Sequence, residues 1–219
     1  GLVDQGAAGE AQEDVFERRA ANQRGQRLEA ELADLGQRGL VRSTKGLGTF
    51  VGNFAVDLVL GKRTRHRQSL AQAGMRGGLR MLKTQVVKVE NDVAQALQLP
   101  VGQSVLWMQT LGEGDGHILH VSERYFPLPR FAGLAEGVQA SGSITVALAA
   151  QGVIDYLRQE SRISASMPTA DVAQWLGQPA NRPVLQVTSV NIDTHLQPIE
   201  YARTCFAGDL VTLTVSHHD

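Results

Sequence analysis

Two guanidiniums flank an imidazole at Arg65, His66 and Arg67, where a basic loop runs toward a short helix-prone stretch. Such a fork suits the oxygen triad of a phosphate or phosphonate, because each planar guanidinium donates several N–H groups in a fixed geometry. The same residues would also serve as a solvated linker facing water or DNA. Ser141, Ser143 and Thr145 stand at the start of a predicted helix, where free backbone N–H groups attract anions. Plain N-capping uses the same residue types. Glu200, Ala202, Thr204 and Phe206 alternate, which places them on one face of a strand. Together these groups supply cations, N–H donors, an acceptor for hydroxyl or amine groups and an apolar wall. Those are the parts of a pocket for a small polar anion.

A second constellation lies in Gly39–Val51, GLVRSTKGLGTFV. It reads as strand, tight turn and strand, with Gly46 and Gly48 supplying positive φ or close backbone approach. Arg42 and Lys45 sit at its tip with no acid nearby, so a polyanion fits there as well as solvent does.

Other chemistries find no candidates. The six histidines show no ligand spacing, and His117 and His120 have no cysteine or carboxylate cluster beside them, so no metal is expected. GEGDG, residues 112–116, lacks the Lys-Ser/Thr of a phosphate loop and reads as a hairpin tip. There is no G-x-S-x-G elbow and no readable triad order, so no catalytic residue and no cofactor is expected.

The elements that must position these groups follow from composition and periodicity. The chain has 219 residues, 42% of them hydrophobic, and no run approaches the roughly 18 apolar residues of a membrane helix. No charged-then-apolar leader stands at its start, and its one cysteine, Cys205, lies in an apolar strand pattern; both fit a reducing cytoplasm. The net charge of −1 hides an asymmetry. Residues 1–83 hold 14 basic and 9 acidic side chains, net +5, and the remainder 7 against 13, net −6. A basic front and an acidic back suggest a nucleic-acid-facing module joined to one that is not.

Glu17–Leu35 reads as a helix with Leu28, Leu32 and Leu35 on one stripe. Asn53–Leu60 reads as a linker strand, and 61–74 begins basic and ends as a short helix. Strands are expected at Thr84–Val89, Ser104–Leu111, Ile118–Phe126, Arg162–Ser166, Val184–Ile192, Ile199–Phe206 and Leu210–Val215. Helices are expected from an Asn91 cap to Leu97, over Ser143–Ala150, and from Thr169 or Asp171 to Leu176. Asp155–Glu160 reads as irregular. Leu97, Val105, Leu106 and Arg124 recur 79 positions later as Leu176, Val184, Leu185 and Arg203. A duplicated helix-plus-hairpin unit building one antiparallel sheet accounts for that.

The tract ADLGQRGLVRSTKGLGTFV resembles the end of the winged helix-turn-helix domain of GntR-type bacterial transcription regulators. The matching positions are Leu32 to Leu35, Gly39, Leu40, Val41, Arg42, Lys45, Gly46, Gly48, Thr49, Phe50 and Val51. The family's earlier "LP-x-E-x-x-LA" and "VNR-x-TVRRAL" tracts are absent in that form, so an incomplete or atypical head is expected at residues 1–52. From about Arg65 onward, the tracts RTRHRQSLAQAG, LQLPVGQSVLWMQTLGEGDG, SERYFP, SGSITVAL and RPVLQVTSVNIDTHLQPIEYARTCFAGD resemble the UTRA effector-binding domain of the HutC subfamily. RTRHRQSL with the later SGSI and SRIS is similar to the PhnF group, tied to phosphonate uptake or degradation.

The resemblance implies an α+β chain: a winged-helix remnant, a linker at 53–64, and a chorismate-lyase-like UTRA domain at 65–219. It implies operator DNA met by Arg42, Lys45, Gly46, Gly48 and Thr49, a small-molecule effector, a homodimer and no membrane. In sugar-phosphate-binding relatives, positions matching Ser143, Thr145, Glu200 and Phe206 line the effector pocket. Where those relatives carry anion-holding arginines, this chain has Gln109, Thr110 and Gly112. That leaves Arg65, Arg67 or Arg124 to hold an anion, with Tyr125 beside Arg124, or else an effector of lower charge. The alternatives are an effector-binding module that no longer binds DNA, and an enzyme on the chorismate-lyase-like fold.

Overall fold

Apolar side chains two apart, many of them β-branched, dominate the second half of the chain, and their segments pair into one sheet. The computed structural model describes residues 22–35, 41–44, 48–51, 56–62 and 76–215. It divides the chain into two compact units, Gly1–Asn53 and Phe54–Asp219.

The first unit contains helix α1 over residues 22–35 and the strands β1 (Val41–Thr44) and β2 (Gly48–Val51). The two strands pair antiparallel, Val41 opposite Val51 and Thr44 opposite Gly48. This is the backbone hairpin expected around the basic tip. Lys45 and Gly46 lie outside the described residues.

In the second unit the order is β3 (Val56–Leu60), β4 (Gly77–Lys88), α2 (Asn91–Leu97), β5 (Ser104–Gly114), β6 (His117–Pro127), α3 (Leu134–Ser141), α4 (Ile144–Ala150), β7 (Tyr156–Ser166), α5 (Ala170–Leu176), β8 (Val184–Asp193), β9 (Pro198–Ala207) and β10 (Val211–Val215). Six strands form one antiparallel sheet in the order β4-β5-β6-β9-β8-β7, and β3 pairs in parallel with β10. The architecture is α+β, as expected.

The duplication extends to strand register. Val86 stands opposite Leu106 in the β4–β5 pair, and Ala165 opposite Leu185 in the β7–β8 pair, the same positions shifted by 79. The copies meet at the sheet's centre, where Glu123 faces Arg203 and Arg124 faces Ala202. One face carries α2 and α5: α2 buries Val93, Ala94 and Leu97 against Val105, and Leu176 of α5 packs with Leu119 and Val121. The other face of β5 and β6, with Leu106, Met108 and Phe126, is covered by Leu134, Val138, Ile144 and Leu148 of α3 and α4.

Several expectations are corrected in detail. Asn91 is the first helical residue of α2 rather than its cap; Glu90 holds that position and makes no side-chain capping bond. Thr169 caps α5, its hydroxyl accepting from the Val172 amide at 3.3 Å. Helix α3 was not expected, because LAEGVQAS has a glycine in its middle and a small residue at its end. That glycine fits the packing: a Cβ on Gly137 would come 3.1 Å from Ala147 Cβ of α4. Residues 155–160, expected to be irregular, enter β7 from Tyr156 onward, with a register shift between Arg158 and Glu160. The polar run after the bulge is exposed at the sheet's edge, where no core requires apolar alternation. The strand expected within Asn53–Leu60 is present as β3, and its Val56, Leu58 and Leu60 are all buried.

Candidate functional site

On β6 and β9 the period of two sends alternate side chains to opposite faces. One face receives His120, Ser122 and Arg124 from β6 and Glu200, Ala202, Thr204 and Phe206 from β9. With Ser143–Val146 at the start of α4 and Tyr156 and Arg158 on β7, most of them enclose a cavity of about 330 Å³. Val187, Ser189 and Asn191 of β8 and Leu58 and Leu60 of β3 complete much of its wall. That volume lies at the lower end of small-ligand pockets.

A buried charge relay runs across it. Glu200 is 1% exposed. One carboxylate oxygen accepts from Arg124 Nη1 and the other from Asn191 Nδ2 at 2.6 Å. Arg124 Nε reaches Thr110 Oγ1 at 3.3 Å, and Arg158 Nε donates to Asn191 Oδ1 at 3.1 Å. Burial pushes the Arg158 guanidinium below its ordinary value; the Glu200 carboxylate opposes that and the Arg124 charge adds to it. It remains a cation, since arginine does not lose its proton in proteins. Among the described residues no carboxylate pairs with Arg158. Glu200 pairs with Arg124 alone and reaches Arg158 only through Asn191, so the cavity wall holds a positive charge that nothing described neutralises.

The remaining polar groups are largely tied to one another. Ser122 Oγ lies 2.9 Å from Thr204 Oγ1 and 3.1 Å from His120 Nδ1, and Thr145 Oγ1 lies 2.9 Å from Tyr156 Oη. The His120 ring is 5.0 Å from that of Phe206 and lies over Gly112. A Cβ at Gly112 would fall 2.0 Å from His120 Nε2, so only glycine leaves room for the imidazole there. Ser143 Oγ accepts from the Val146 amide at 3.3 Å; the residue caps α4 and lines the cavity at once.

Of the residues singled out in the sequence, Arg124, Ser143, Thr145, Glu200 and Phe206 are brought together around the cavity. Tyr125 is not, because the period of two turns it to the opposite face. There it sits 6.0 Å from the Tyr201 ring with the Arg203 guanidinium 5.9 Å from its own. Ser141 ends α3, its hydroxyl donating to the Gly137 carbonyl at 2.7 Å, and does not line the cavity. Arg65, His66 and Arg67 lie outside the described residues. Sequence reasoning missed Arg158, Asn191, Tyr156, His120 and the two leucines of β3. The alternation Val187, Ser189, Asn191 was a usable signal, since the period of two sets these polar groups on the same face as a valine of the core.

Residues 72–212 match the UTRA domain family. An uncharacterised HTH-type transcriptional regulator of Rhizobium meliloti is 34% identical over 86% of this chain and 78% of its own length. The chain belongs to the UTRA-domain transcriptional regulators of the GntR type. A probable transcriptional regulator, PhnF of Escherichia coli, is 28% identical over 87% of the chain and 79% of its own length. The crystal structure of PhnF from Mycobacterium smegmatis shares the fold, with a TM-score of 0.70 over 92% of this chain and 90% of that one, at 24% identity. These relatives place the UTRA chain among regulators rather than enzymes. Among the described residues no helix is long and apolar enough to cross a membrane, and no three His, Cys, Asp or Glu are grouped to hold a metal ion.

Proposed function

We propose that the chain is a ligand-responsive, DNA-binding regulator in the cytoplasm whose second unit takes a small anionic metabolite into the cavity beneath α4. The observation that carries this reading is the positive charge left on Arg158, which bonds Asn191 while Glu200 pairs with Arg124. A buried cation without a counter-charge is costly, and an anionic ligand relieves that cost. Resemblance to the PhnF group favours a phosphonate or phosphorylated compound. The leucines, Val187 and Phe206 then hold its less polar end.

Glu200 has another role in this account than reading the ligand. With both oxygens taken, it positions Arg124 and Asn191, and Asn191 in turn orients Arg158. Operator DNA is met by the hairpin of the first unit, with Arg42, Lys45, Gly46, Gly48 and Thr49 at or beside its tip. The regulator works as a homodimer, and ligand binding shifts the population of its DNA-binding arrangement. The proposed division of labour follows the two units, residues 1–53 for DNA and 54–219 for the effector.

The test is a thermal-shift screen of phosphonates, phosphosugars, urocanate and amino-acid derivatives. It is followed by fluorescence anisotropy on the promoter DNA preceding the chain's own gene. A hit should change DNA affinity by about five- to 150-fold, the range of ordinary allosteric coupling. A chain that binds the hit but no DNA is an effector module alone.

A further inference from the structure

We infer that β3 transmits the state of the cavity to the rest of the chain: ligand in the cavity fastens β3, and an empty cavity leaves it loose. The inference rests on the cavity being the effector site, and it names how that site is regulated.

Three observations carry it. First, β3 is a wall of the cavity, because Leu58 and Leu60 both line it. Second, β3 is weakly held by backbone pairing. It stands outside the six-stranded sheet, in a two-stranded parallel piece with β10 that has five paired positions, Val56 with Val211 to Leu60 with Val215. A two-stranded piece is marginal by itself, so its docking depends on what its apolar side packs against. That side is Val56, Leu58 and Leu60, while Asp57 and Val59 face outward. Third, the segment that ends β3 is joined to the proposed anion anchor: the Arg158 amide donates to the Lys62 carbonyl at 2.7 Å. An anion on the Arg158 guanidinium and an apolar group against Leu58 and Leu60 would therefore act on one short stretch, 56–62, from both ends.

Position in the chain gives the stretch its consequence. The first unit ends at Asn53, and β3 begins at Val56. Two residues separate the unit assigned to DNA from β3, and four separate it from Leu58, the first β3 side chain that lines the cavity. A change in how firmly β3 is docked is a change in the tether of that unit.

The experiment is amide hydrogen exchange on the full chain with and without methylphosphonate, with binding of the probe measured by calorimetry in the same buffer. With the probe at about a hundred times its Kd, exchange through opening of β3 should slow by up to about a hundredfold at residues 56–60. Exchange in the outward-facing run 159–165 of β7 should be unchanged. The Leu60→Ala variant should bind the probe about tenfold more weakly, the usual effect of removing apolar surface from a pocket wall. If calorimetry shows binding and exchange at 56–60 does not change, the coupling is wrong while the anion site stands. If methylphosphonate gives no heat and leaves exchange unaltered, the anion reading fails and takes the coupling with it. The wild-type exchange comparison decides the matter even where Leu60→Ala does not fold.

Discussion

A carboxylate with both oxygens engaged and 1% exposure cannot serve as a free acceptor for a ligand, and Glu200 is in that position. Glu200→Gln keeps the shape but removes the charge that holds Arg124 and sets an amide against the Asn191 donor. The expected result is a loss of about 3 kcal/mol in stability, the cost of breaking a buried ion pair from one side, read as a lower urea midpoint at unchanged m. A variant as stable as the parent, with altered ligand preference, would return Glu200 to the role its sequence position first suggested. Asp193 offers a pH test at the same scale. Burial alone would raise its pKa, but hydrogen bonds from the Gln197 amide, Arg130 and the His195 amide outweigh that and hold it below the ordinary carboxylate range. A lowered pKa stabilises the fold above the unfolded value, and the gain disappears as pH falls through the folded one. Asp193→Asn should therefore cost about 1–3 kcal/mol at pH 7. Its deficit should close as the medium is acidified below the carboxylate range. A deficit independent of pH would assign the effect to packing.

At the scale of elements, β3 decides where the second unit begins. Three buried side chains at about 2 kcal/mol each stabilise it by several kcal/mol as an upper estimate. A fragment spanning 54–219 should unfold in one cooperative step, whereas one starting at residue 63 should be markedly less stable or insoluble. Equal stability of the two would make β3 the linker that its sequence suggests. Some elements were legible in the sequence and others were not. The hairpins β5–β6 and β8–β9 announce themselves by their β-branched and apolar runs, by the polar turns between the strands and by the repeat at 79 positions. Strand β3 pairs with β10, more than 150 positions away, and nothing local in VDLVL names that partner. Helix α3 was hidden by its own glycine, whose justification lies in α4. Arg158 was obscured for a similar reason. Only the start of β7 turns inward, and the exposed run that follows masks its register. Ser143, Thr145, Glu200 and Phe206, by contrast, lie where local alternation and capping already place them, and Arg124 was suggested by the resemblance to the family.

For the whole molecule, an N-terminal unit with 7 basic and 8 acidic side chains is followed by a C-terminal unit with 14 of each, and the C-terminal unit holds a positively charged cavity. The charges have different tasks: Arg42 and Lys45 of the hairpin suit the phosphates of DNA, and the two part-buried guanidiniums of the cavity suit a single small anion. The UTRA fold is common to the family, and the ligand is set by these side chains. The most direct measurement is a calorimetric titration of phosphonates and phosphosugars into the full chain and into Arg158→Gln. The account predicts that an anion bound by the parent binds the variant more weakly by about 1.5–3 kcal/mol, the scale of a hydrogen bond to a charged group, with the melting temperature little changed. Equal affinity in a folded Arg158→Gln chain would contradict it.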